Sequence, residues 1–246
     1  MKLRTWEIKL GIFLLGLSLS LYLLDFLEFH GISYILDNIL LQLAYLPIYI
    51  FLSTLIIDQL LAKREKRALL RKLYMVVGIF NHEMGGELLE FLSKRDANID
   101  KIQNNLLIET SWNNKDFLEA RKGVEEYRGK WQVDGEFLEQ LRDLVFRKKD
   151  FLLRLMENPN LLEHEAFTEL LWAIFHLTDE FAHRKDLREQ AEADRVHLIR
   201  DMDRAYQLLI LEWLSYMEHL HEDYPYLYSL AVRTNPFNSK ARVEIQ

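Results

Sequence analysis

The sequence predicts an all-α protein, built as a two-span transmembrane helical hairpin followed by a cytoplasmic multi-helix bundle. Two apolar runs lie close together near the N-terminus, with charges only at their ends. No stretch shows the sustained apolar–polar alternation of a strand. Nine Gly and four Pro in 246 residues leave long uninterrupted helical patterns.

The first run, Leu10 to Leu24, is bounded by Lys9 and Asp25, and the second, Ile39 to Ile57, ends at Asp58. A helix needs about 20 mostly apolar residues to cross roughly 30 Å of hydrocarbon. The second run meets that length. The first does so with Lys9 reaching back to the headgroups and Phe26 and Leu27 in the far interface, which places the spans at about 9–27 and 38–60. A signal peptide is the competing reading of the first run, but no small-x-small cleavage site follows it.

Lys2, Arg4 and Lys9 precede the first span, and Lys63, Arg64, Lys66, Arg67, Arg71 and Lys72 follow the second. The link between the spans carries Asp25, Glu28 and Asp37 and no Lys or Arg. By the positive-inside rule both termini face the cytoplasm, as in a multi-pass protein of the plasma (inner) membrane. The six basic residues after the second span are expected to bind anionic lipid headgroups, at about 1 kcal/mol each near the surface. Within the first span, Gly16 and Ser20 form a small-xxx-small pair expected to pack on the second span or on a neighbouring subunit.

The expected organisation is a hairpin over 1–62, a basic stalk helix over 63–95, a bundle over 96–233 and an extended or disordered tail over 234–246. About 180 residues beyond the hairpin suffice for one real core. The net charge is −7, and the cations concentrate beside the membrane, so the bundle is acidic and nucleic acid is excluded as a partner. The absence of cysteine excludes disulfides and thiolate chemistry and fits a reducing compartment.

In chain order, Leu69, Leu73, Val76, Phe80 and Met84 recur at helical spacing, so the second span is expected to continue as a stalk that Gly85-Gly86 weakens or ends. Ile99, Ile102 and Leu106 predict a short helix, and Ser111 to Asn114 a loop and cap before another. Asp134 is expected to start a long helix with Phe137, Leu141, Leu144, Val145, Leu152 and Leu155 in the core, stopped at Asn158-Pro159-Asn160. The helix from about Leu162, apolar on most sides, is the expected hub. A tight turn is expected near Arg188 to Asp194, because an unbroken helix would run about 90 Å. The last long helix carries Ile199, Met202, Tyr206, Leu209, Trp213, Tyr216 and Leu220 as a seam that packs in the bundle or against a second copy.

Three constellations bear on chemistry. His176, Glu180 and His183 share one helix face and form a candidate transition-metal site; their competing reading is a polar helix face. Glu218 and His221 form a second Glu-x-x-His pair of the kind used by di-iron bundles, but the predicted turn places the two pairs too far apart to meet. Asn81-His82-Glu83-Met84 resembles the phosphoacceptor box of sensor histidine kinases over a few residues. The chain departs from that family at Gly85-Gly86-Glu87 and has no glycine-rich phosphate loop, and the residues by themselves read as a helix end with a solvated histidine. Tyr224 to Tyr228 is an aromatic run expected to cap the bundle.

No catalytic signature is visible, and an enzyme is neither singled out nor excluded. The leading expectation is an integral membrane protein whose bundle serves as an interaction or scaffold domain, self-associating and meeting a cytoplasmic protein partner. The alternative is a membrane-anchored metal-binding bundle, and the lesser one an oligomeric pore. No cofactor is expected beyond that metal ion.

Overall fold

A computed structural model of the chain describes residues 5–28, 34–158, 161, 164–238 and 241–242. Lys2, Arg4, the core of the predicted link (29–33) and the breaker residues Pro159 and Asn160 lie outside the described residues. Among the described residues there are helices and no strands, and an isolated antiparallel bridge joins Asp96 to Trp131. The all-α expectation holds.

The chain divides into two compact units, Met1–Leu69 and Leu70–Gln246. The first contains α1 (Thr5–Glu28) and the early part of α2 (Tyr34–Phe80). These helices approach closely at Gly11, where a Cβ would stand 2.8 Å from the Phe51 ring, and at Ser18, whose buried hydroxyl donates to the Ala44 carbonyl. Among the described residues, only one helix is long and apolar enough to cross a membrane, within Gln42–Ser93. The apolar stretch of α1 covers Gly11–Leu21, about 16 Å at 1.5 Å per residue. By length and composition α2 is a candidate span and α1 is not, so the two-span hairpin expected from the sequence is not supported.

The second unit opens with a helix that changes gauge. Leu73, Val77, Phe80, Met84, Leu88 and Leu92 are all buried. Their mean spacing is about 3.8 residues per turn, so a regular helix of 3.6 would drift by about 100° before reaching Leu92. A π-helical turn at Asn81–Gly85 takes up that drift before α3 (Gly86–Ser93). Gly85 and Gly86 thus widen the helix rather than end it. A Cβ on Gly85 would stand 2.9 Å from the Phe80 ring, and one on Gly86 3.1 Å from the Asn81 carbonyl. The Asn81 side-chain amide donates to the Val77 carbonyl at 3.0 Å, tying the wide turn to the regular one before it.

Next come α4 (Asp100–Leu106), α5 (Asn114–Glu126), α6 (Gly135–Arg147) and α7 (Lys149–Met156). The expected caps are present. Asn113 and Asp116 form a capping box at α5, and the Asp134 carboxylate accepts the Phe137 N–H at 2.7 Å at α6. The long helix expected from Asp134 is broken at Lys148, whose φ of −101° and ψ of 2° leave the helical region, so α6 and α7 are separate.

The chain ends with α8 (Glu165–Ala182), α9 (Glu192–Asp223) and α10 (Pro225–Arg233). The expected turn between the last two long helices exists, but over 183–191, starting five residues before Arg188 and giving way to α9 at Glu192. The hub, however, is α9 rather than α8. It packs on α3, α5, α8, α10 and the π turn, whereas α8 packs on α6, α7 and α9. Met202, Tyr206, Leu209, Trp213 and Leu220 of the predicted seam are buried inside the bundle. Nor is the start of the tail extended. Asn235 is buried and donates to the Leu106 carbonyl at 2.7 Å, and the Phe237 ring packs on Trp213.

The 183–191 turn is seated on α6. Leu187 is buried, its N–H donates to Glu139 Oε1 at 2.9 Å, and Gly135 lets the backbones touch. A Cβ at Gly135 would collide with Arg188 Cα and stand 2.9 Å from the Leu187 carbonyl. Both are backbone atoms that cannot swing aside. Gly135→Ala is expected to cost about 1–3 kcal/mol, read as a lowered urea midpoint of the full chain in detergent.

Candidate metal centre

His176 and Glu180 are one turn apart on α8, and His197 and Asp201 are one turn apart on α9. The intervening turn folds the two helices together so that the pairs oppose each other. His176 and Asp201 mirror each other about the Arg188–Glu189 peptide, as do Glu180 and His197. Asp201 Oδ2 lies 3.4 Å from His176 Nε2 and 3.3 Å from His197 Nε2. Glu180 Oε1 lies 3.8 Å from His176 Nε2, and its Oε2 lies 3.7 Å from His197 Nε2. One ligand atom from each residue falls within 4.8 Å of all the others. The imidazoles are half-exposed and the carboxylates more covered, so the cluster opens to solvent on its histidine side.

The cluster has a cationic neighbour. Arg184 Nη1 donates to Glu180 Oε2 at 2.5 Å, while its Nε and Nη2 grip Asp194 at 2.9 and 2.6 Å. That bidentate hold joins the end of α8 to the start of α9. The hydrogen bond from Arg184 keeps the Glu180 carboxyl below the usual carboxylate range, and Asp194 is lowered by the same guanidinium.

Of the predicted metal trio, the structure brings together His176 and Glu180 and leaves His183 out. Helix α8 ends at Ala182, so His183 is its C-cap and its Nδ1 turns to the Asp179 carbonyl at 2.9 Å. The missing members are His197 and Asp201. Their signal in the sequence is a His-x-x-x-carboxylate spacing that repeats in mirror position across the turn. Glu218 does not join the centre: it pairs with Arg121. Glu83 and Glu87 face Lys148 at 4.0 and 3.9 Å.

The other predicted positions sort as follows. Lys63, Arg64, Lys66, Arg67, Arg71 and Lys72 are all exposed. Gly16 is exposed with nothing within 4 Å of a Cβ there, and the Ser20 hydroxyl donates to the Leu17 carbonyl of its own helix at 2.8 Å. The hairpin contact uses Gly11 and Ser18 in their place. His82 is exposed in the π turn, beside a groove of about 330 Å³ that Trp213, Leu227 and Leu230 also line. Tyr228, from the aromatic run, is buried and its hydroxyl donates to the Glu109 carbonyl at 2.7 Å.

Sequence reasoning also missed Glu212, which is 4% exposed in the middle of α9. Burial pushes its carboxyl up to about 7, with Arg121 pulling the other way, and its Oε2 accepts no hydrogen bond. A single Glu inside the run Leu208-Leu209-Ile210-Leu211-Glu212-Trp213-Leu214 was the available signal.

Comparison with known proteins gives the chain its relatives. Residues 69–233 match a family model described as the C-terminal helical domain of uncharacterized protein MJ1433, and residues 2–61 match the N-terminal helical domain of the same protein. The chain is similar to uncharacterized protein MJ1433 of Methanocaldococcus jannaschii, at 44% identity over 238 residues that cover 97% of this chain and 96% of the relative. No solved structure matches it. The family boundary falls beside the structural division at Leu69, and with both helical domains present in order, the chain belongs to the MJ1433 family.

Proposed function

We propose that this chain is a membrane-anchored protein whose helical bundle acts at the cytoplasmic face as an interaction and scaffold domain. The observation that carries the reading is the apolar surface of the first unit. Ile12, Phe13, Leu19, Tyr49, Ile56 and Leu60 are each more than half exposed, where a water-facing protein covers such groups or scatters them singly. Lipid would cover them. Helix α2 would supply the span, and the short apolar stretch of α1, Gly11–Leu21, would pack beside it. The exposed cations from Lys63 to Lys72 then sit where anionic headgroups would meet them. For association, the bundle offers Met75 and Ile79 on α2 and Leu227 and Leu230 on α10, all exposed.

A second reading, a metal-binding bundle on the same anchor, is favoured by the convergence of His176, Glu180, His197 and Asp201.

The absence of cysteine makes anchoring and topology directly testable. Gly31→Cys and Ser93→Cys are introduced singly and treated with a membrane-impermeant maleimide in intact cells and after lysis. The chain is expected in the membrane pellet after alkaline carbonate washing, with the Gly31→Cys thiol labelled from outside and the Ser93→Cys thiol only after lysis. Release by carbonate sinks the anchor, and protection of both positions in intact cells sinks the external loop. Light scattering of the nanodisc particle then gives the number of chains.

A further inference from the structure

We infer that His176, Glu180, His197 and Asp201 bind one divalent first-row transition-metal ion, of the zinc, manganese or iron class, bridging α8 and α9. Bonds of about 2.0–2.2 Å from a metal to imidazole nitrogen and carboxylate oxygen set the edges of a tetrahedral ligand shell at about 3.3–3.6 Å. The two contacts of Asp201 Oδ2 with the imidazoles, 3.4 and 3.3 Å, have that length. Glu180 Oε1, the oxygen that Arg184 leaves open, stands 3.8 Å from His176 Nε2 and needs an inward movement of its side chain to join the shell.

The donor chemistry agrees. Two imidazoles and two carboxylates form a borderline N2O2 set that suits these metals and disfavours the soft ions that thiolates select. The two carboxylates balance the charge of a dication. Asp201 Oδ2 is buried and accepts no hydrogen bond, although two imidazole nitrogens stand on either side of it. Buried oxygens are ordinarily satisfied, and a bound cation would satisfy this one together with both nitrogens. Arg184 holds Glu180 Oε2, orienting the carboxylate from outside as hydrogen-bonded partners of metal ligands do. The histidine side is open to solvent, which gives the ion an entry path. The inference rests on the metal-binding reading of the same four residues, lies wholly within α8 and α9 and is independent of membrane anchoring.

The test uses the full chain in nanodiscs, purified on a tag without histidines and stripped with chelator. Cobalt(II) is titrated as the probe by visible absorption, and zinc(II) by calorimetry and by displacement of the cobalt. The expected result is one ion per chain, with cobalt giving the strong visible band of a low-coordinate site. His197→Ala and Asp201→Asn are each expected to weaken binding by roughly 100-fold or more, since loss of an outer partner alone costs 10- to 100-fold. His183→Ala is expected to leave affinity unchanged. His176 and His197 are half-exposed, so their variants keep the bundle, and His197→Gln with an unchanged urea midpoint serves as the second variant. Failure to saturate with either metal overturns the site and leaves an ion-pair cluster between two helices. Unchanged affinity in both His197 variants, or a loss in His183→Ala as large as in His197→Ala, overturns it as well.

Discussion

Asp96→Ala is expected to lower the stability of the bundle by about 3–5 kcal/mol, which is enough to unfold many domains outright. Asp96 is 3% exposed and organises the joint between the end of α3 and the loop after α5. Its Oδ1 accepts the N–H groups of Asn98 and Lys130, both at 3.0 Å, and its Oδ2 accepts the Tyr127 hydroxyl. Two backbone bonds run alongside, from Ala97 N–H to the Lys130 carbonyl at 2.8 Å and from Gln132 N–H to the Arg95 carbonyl at 3.0 Å. Removing the carboxylate leaves three donors facing a space that water reaches poorly, and each unsatisfied buried donor costs about 1–3 kcal/mol. Burial first, and then the bond to Asp96, hold the Tyr127 phenol well above its usual range, so in the wild type it stays the donor of this bond. Urea unfolding of the full chain in detergent, followed by tryptophan fluorescence, measures the loss, and Trp131 in the same loop reports it locally. Asp96→Asn keeps one acceptor oxygen and is expected to lose less. An alanine variant within about 1 kcal/mol of the wild type would mean that water replaces the carboxylate at this joint.

The second large effect is a pH dependence set by Glu212. Its carboxyl is raised from 4.5 to about 7 by burial, so between those values the folded chain holds a proton that the unfolded chain has released. Stability therefore falls as pH rises through this window, the reverse of a salt-bridged carboxylate. The loss is complete above the folded value and amounts to about 3 kcal/mol at pH 8 relative to pH 4. Glu212→Gln removes the titration. Its urea midpoint is expected to match that of the wild type near pH 5 and to exceed it above pH 7. Parallel midpoint-versus-pH curves for the two proteins would show that Glu212 ionises normally in the fold.

Much of the bundle is legible in the sequence because local signals and burial agree. Asn113 and Asp134 cap where polar side chains before apolar runs should, and the charged stretch after Ala182 turns. The misjudged points are those where a local signal has two physical readings. Gly85-Gly86 reads as a breaker, yet the buried stripe from Leu73 to Leu92 needs an extra residue that only a wide turn supplies. An all-round apolar α8 reads as central, whereas α9 reaches more elements while carrying Glu212, Asp201 and Asp203 among its apolar residues. The metal candidate was half visible. His176 and Glu180 stand out by helical spacing alone, but His197 and Asp201 join them only through tertiary folding, and a search for Glu-x-x-His pairs passes over their mirrored spacing. His183 fits the helical offset and fails because the helix ends one residue too soon.

The docking of residues 235–237 has a consequence for the order of biosynthesis. Asn235 and Phe237 fasten to residues made about 130 positions earlier, through Asn235 on the Leu106 carbonyl and the Gln103 amide on the Phe237 carbonyl. At 5–20 residues per second, the ribosome needs about 6–26 s to make the intervening chain. During that interval the Leu106 carbonyl and the Gln103 amide lack these two partners, although α5 is already there for α4 to pack on. The bundle therefore stays unclasped at this end until residues 235–237 have been made.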